Sequence, residues 1–100
     1  MQKLLQDAGV DEYSELGKIL VQVINERVRQ RGIFPKEFDN QNNSYEWVGY
    51  LVKTMGKGLE GYPIDPQKFR EQCIHAIALL CGAVLAIDRN PQNIIKKEEP

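Results

Sequence analysis

One hundred residues, 42% hydrophobic and 27% charged, describe one globular domain of ordinary composition. A net charge of −1 excludes a coat for long nucleic acid, which needs a strongly basic face. No apolar run of membrane length is read, and the N-terminal MQKLLQDAGVDEYSE has no apolar leader segment, so a cytosolic place and no membrane contact are expected.

Residues 1–9 read as a short amphipathic turn or helix ended by Gly9. The first long helix is predicted from about Asp11 to Arg31. Leu16, Ile19, Leu20, Val23, Ile24 and Val28 recur at helical period and give it an apolar stripe. Gly32 suits its C-terminal cap, and Arg27, Arg29 and Arg31 suit the negative end of its dipole. The segment IFPKEFDNQNNS, residues 33–44, is predicted as a loop without regular structure, because of Pro35 and the run DNQNNS. Its apolar side chains predict that it lies against the body.

Ser44 is the expected N-cap of a second helix running from about Tyr45 to Glu60. Trp47, Val48, Leu51, Val52, Met55 and Leu59 form its apolar face. Gly49, Gly56 and Gly58 each weaken it by about 1 kcal/mol relative to alanine. Such glycines either simply weaken the helix or admit a close neighbour. After GYPIDP, Asp65 caps and Pro66 starts a third helix, which is stopped after Arg89 by Asn90-Pro91. From Cys73 to Ile87 this helix is apolar almost all round, and two other helices do not suffice to cover it. A homo-oligomer, most simply a two-fold dimer, follows as the expectation. Residues 1–90 thus form a single helical domain, and 91–100 a flexible tail. The fold class is all-α: three main helices in an oligomeric bundle.

Cys73 and Cys81 lie about 12 Å apart along one helix, too far for a bridge, and read as small buried hydrophobes in a reducing compartment. His75, the only histidine, has no neighbours at zinc-ligand spacing and reads as a hydrogen-bonded core residue. Glu12 and Glu15 suit the positive end of the first helix better than a metal site. No metal or other cofactor is expected.

The basic residues carry more. Arg27 and Arg31 are four apart on the first helix, and Lys53 and Lys57 four apart on the second, with Thr54 between them. Like charges at that spacing repel by a few tenths of a kcal/mol. If the two helices run antiparallel, both pairs point to one cleft, near the rings of Tyr45, Trp47 and Tyr50. Cations and rings together fit a ligand with phosphates and bases. The alternative, separate solvated charges, stays open on spacing alone.

Three stretches resemble small phage and bacterial proteins of the MazG-like, all-α nucleotide pyrophosphohydrolase superfamily. They are NERVRQRGIFPKEF (25–38), the loop DNQNNS with the Trp-led YEWVGYLV, and IHAIALLCGAVLAIDR (74–89). The resemblance spans about residues 19–89 and implies a helical bundle that holds a nucleotide. In that family the middle helix carries Glu-Glu-x-Gly-Glu, whose second and last glutamates bind magnesium. Here the matching place reads Lys53-Thr54-Met55-Gly56-Lys57, and of the last helix's acidic pair only Glu71 remains. Magnesium needs anionic oxygen, and an ammonium in its place repels it. The resemblance therefore implies a non-catalytic binder. Lys53, Lys57, Arg27 and Arg31 would meet phosphates, Thr54 would donate a hydrogen bond, and Trp47 and Tyr50 would stack on a base. Its phage setting implies a sponge for a host defence signal in an infected bacterial cell. Two competitors remain: a magnesium-dependent pyrophosphohydrolase using Glu46, Glu60, Glu71 and Asp88, and a helical assembly protein with no small ligand.

Overall fold

The computed structural model describes residues 10–92. Four helices follow in order: α1 (Val10–Ile33), α2 (Lys36–Gln41), α3 (Ser44–Gly58) and α4 (Pro66–Arg89). No strand occurs among the described residues. The three long helices are the three expected from periodicity. The readings of residues 1–9 and of the tail beyond 92 lie outside the described residues.

Three local expectations need correction. α1 runs through Gly32 to Ile33, so Gly32 lies inside the helix and is not its cap. The segment after Ile33 contains a regular element, α2. Pro35 precedes it in extended conformation (φ −67°, ψ 161°), where a proline costs nothing because the first helical turn has no acceptor for its missing N–H. The cap of α3 is Asn43, one residue before the expected Ser44. The Asn43 side chain accepts from the Glu46 N–H at 2.9 Å, and Glu46 Oε1 accepts from the Asn43 N–H at 3.0 Å. That reciprocal pair is a capping box, which requires a Glu or Gln three residues on. Asp65 caps α4 as expected, accepting from the Gln67 N–H at 2.9 Å, with Pro66 in the first turn. In the link before it, Gly61 takes φ +91°, a conformation open to glycine alone at little cost.

α4 is the centre of the fold. α1, α2 and α3 all pack against it. Gln22 meets Arg70 and Gln30 meets His75, so α1 runs parallel to α4. Gly58 lies against Phe69 and Gln72 while Trp47 lies against Ala83 and Ala86, so α3 runs antiparallel to it. α1 and α3 are thus antiparallel to each other, the arrangement on which one shared cleft depended.

Small residues let the helices approach. The buried face of α4 is Ala76, Ala78, Gly82, Ala83 and Ala86. A Cβ at Gly82 would stand 2.5 Å from Arg27 Nη1, so glycine is needed where α1 crosses. The core is thin. Among the described residues it holds Val23, Trp47 and four alanines, and no large side chain there is fully buried. Of the predicted α1 stripe only Val23 is buried, whereas Leu20, Ile24 and Val28 are 58–66% exposed. Cys81, expected inside, is exposed, and Cys73 is half-buried. By length and composition α4 would also pass for a membrane span, a property the sequence reading did not assign to it.

Candidate ligand cleft

α1 and α3 diverge from α4 and leave a cleft of about 320 Å³ between them. Its size lies at the lower end of the range for small-molecule sites. Arg27, Lys53, Thr54, Lys57, Trp47 and Tyr50, six of the seven residues expected from sequence, line it. Arg31 does not. It sits on the far side of Asp39, beside the groove between α1 and α4.

The floor is a polar network. Asp39, at 4% exposure, is reached by Arg27 Nη2 and lies 3.1 Å from Arg31 Nη1. Both arginines therefore have an internal counter-ion, and α2 exists to deliver it. Arg27 Nη1 also donates to Gln30 Oε1 at 3.0 Å. The Gln30 amide, 2% exposed, donates to Glu26 at 3.0 Å and to the His75 carbonyl at 3.3 Å. A buried, fully engaged glutamine of this kind fixes the rotation of α1 against α4.

The mouth is different. Lys53 and Lys57 are exposed, on the same side of α3, with no acidic partner among the described residues. Arg29, at the opposite lip, is held by Glu26 through Nε at 2.8 Å and Nη2 at 2.6 Å. This bond raises the Arg29 pKa and, as its largest cause, lowers that of Glu26. His75 is half-buried in the cleft wall. Desolvation lowers its pKa, only partly opposed by Glu26 Oε2 at 3.9 Å, and Lys57 lowers it further.

Three buried hydrogen-bond donors of cleft-lining residues have no acceptor among the described residues: Trp47 Nε1, Asn42 Nδ2 and Arg27 Nε. Buried donors left unpaired cost about 1–3 kcal/mol each. Trp47 is wedged against Ala83 and Ala86 and meets Tyr50 edge to face at 6.2 Å and 87°. Tyr50 Oη donates to Asn42 Oδ1 at 3.4 Å, and desolvation raises the Tyr50 pKa. Phe34, 44% exposed, also lines the cleft.

Sequence reasoning missed Asp39, Gln30, Asn42, His75 and Phe34 as cleft residues. Gln30 carried one signal: it lies seven residues after Val23 on the apolar stripe, where a polar residue demands partners. The carboxylates considered for a metal are scattered. Glu46 caps α3 and Glu60 pairs with Lys68 at 3.2 Å. Among the described residues no group of three His, Cys, Asp or Glu side chains is placed to hold an ion. Fold and cleft define an all-α protein with a cationic, ring-lined pocket. No protein-family model, curated protein or solved structure matches the chain.

Proposed function

We propose that the cleft binds a phosphate-bearing nucleotide without turning it over. The observation that carries this reading is the pair of unpartnered ammonium groups, Lys53 and Lys57, over a cleft whose buried Trp47 and Asn42 donors lack acceptors. The lysines supply charge to phosphate oxygens, as point charges do at many phosphate sites. Tyr50 offers a ring face to a base. Thr54, Trp47 Nε1 and Asn42 Nδ2 supply the polar contacts that fix orientation. Arg27 and Arg31 act at second hand, since Asp39 already holds them. The resemblance to MazG-like proteins supports the same assignment, with Lys57 standing where the family holds magnesium. On that resemblance, the purpose is sequestration of a nucleotide signal during phage infection.

The test is thermal denaturation and calorimetry against a panel of linear and cyclic nucleotides in magnesium-free buffer. A ligand at a hundred times its Kd should add about 2.7 kcal/mol to stability. Lys57→Glu should abolish that gain and leave the fold unchanged. No stabilisation by any nucleotide, or equal binding by Lys57→Glu, overturns the reading. Magnesium-dependent release of pyrophosphate would replace it with the hydrolase reading.

A further inference from the structure

His75 is the only histidine of the chain, and the fold sets it in the α4 wall of the cleft. Its side chain is 29% exposed, so the ring exchanges protons with water without any opening of the fold. Among the described residues, charged groups face it from every long helix. On α1, Glu26 Oε2 lies 3.9 Å from Nε2, and Arg29 is bonded to that carboxylate. On α3, Lys57 is near enough to act on the ring, and Lys53, one turn earlier, lines the same cleft. On α4 itself, Arg70 and Glu71 share with His75 a second, polar groove. α2 contributes Asp39, which Arg27 and Arg31 already hold.

Without an anion, this balance keeps the ring neutral. Burial disfavours the imidazolium most; Glu26 favours it, and Arg29 and Lys57 oppose it. Glu26 is moreover divided among partners, since Arg29 and Gln30 both donate to it. An anion held by Lys57 reverses the balance. It cancels the ammonium that repels the proton, and it adds its own negative field.

We infer that His75 is a third cationic contact for the ligand, one that becomes charged as an anion enters beside Lys53 and Lys57. Binding then takes up a proton. The inference rests on the proposed function only in placing an anion in the cleft. By linkage, affinity rises as pH falls, because the bound state holds the proton more tightly than the free state. The gain is absent well above the bound-state pKa and complete below the free-state pKa. Each unit by which the ligand raises that pKa is a tenfold gain in affinity. The protein therefore grips its ligand at acidic pH and loosens it as pH rises. A site made of lysines alone would keep one affinity throughout the range in which histidine titrates.

The probes are inorganic sulfate and cyclic AMP. Neither changes charge in that range, unlike a phosphate monoester, whose second pKa is near 6. With one histidine, proton NMR gives a single imidazole Cε1–H signal, and its shift against pH reads the His75 pKa with and without each probe. The pKa should rise by about one unit with probe bound, and calorimetry should show about tenfold tighter binding near pH 5.5 than near pH 7.5. His75→Gln should remove that dependence on pH. The NMR titration uses the parent protein, so the test survives if the variant is poorly folded. A probe that binds while the His75 pKa and the affinity stay constant overturns the inference and leaves the nucleotide reading standing. Sulfate binding linked to His75, with no nucleotide bound at any pH, sustains the inference and refutes the nucleotide. Failure of both probes to bind at either pH overturns the inference.

Discussion

Asp39 is the residue on which the cleft floor turns. Its carboxylate holds two guanidinium groups, one of them only 14% exposed. Asp39→Asn leaves both uncompensated, and breaking such a pair from one side costs about 3 kcal/mol. Urea unfolding should show that loss, while anion affinity rises because Arg27 is released into the cleft. His75 makes a prediction of opposite character. Its pKa is lowered in the folded state, chiefly by desolvation, so the unfolded chain binds the proton more readily. Its contribution to stability is therefore full above about pH 6.5 and falls as pH drops below it. His75→Gln should flatten the stability profile between pH 7 and 5, roughly, the range in which histidine titrates. Glu26 acts lower down: its folded pKa is lowered, so its contribution holds above the ordinary carboxylate range and is lost beneath it.

Among the elements, α3 and α4 are fixed by end signals and by close contacts. Asn43→Ala removes the side-chain half of the capping box, leaving the N–H of residue 43 to donate to Glu46, and should cost about 1 kcal/mol by denaturant titration. Gly82→Ala tests the crossing of α1 over α4. The new methyl would meet the Arg27 guanidinium, which would have to shift against its bonds to Asp39 and Gln30. A loss of about 1–3 kcal/mol is expected, the range for overpacking. Gly17→Ala, with open space around it in α1, should instead be neutral or stabilising. The cap of α3 was legible in the sequence. Asn43 has Glu46 three residues on, whereas Ser44 is followed at that distance by Trp47 and has no reciprocal partner. α2 was not legible, because six residues have little helical stability of their own and it is the Asp39 ion pairs that hold them.

For the whole molecule, the thin core is the governing fact. Among the described residues the buried apolar side chains are Val23, Trp47 and four alanines. A chain stabilised by a second copy should melt at a temperature that rises with protein concentration, by mass action. Calorimetry over a hundredfold dilution would read that slope directly. A melting temperature independent of concentration would place the stability within the single chain and argue against the homo-oligomer expected from the apolar α4.

The sequence alone determined the three long helices, their order and most of their ends. These follow from local chemistry: apolar period, caps, proline and glycine, all within a few residues of one another. It also picked out Arg27 on α1 and the cleft residues on α3, where spacing of four keeps Lys53 and Lys57 on one side of the helix, but the same spacing did not bring Arg31 to the cleft. Which half of each apolar stripe faces α4, and which half stays open, was decided only by tertiary structure. A stripe on α1 wide enough for two contacts looks the same whether Leu20 or Val23 goes inside. The same holds for charge. Arg27 and Lys57 read alike in the chain, but Asp39, delivered from α2, pairs with one and leaves the other without a partner. Pairing between distant residues is a property of the folded contacts, and no local pattern encodes it.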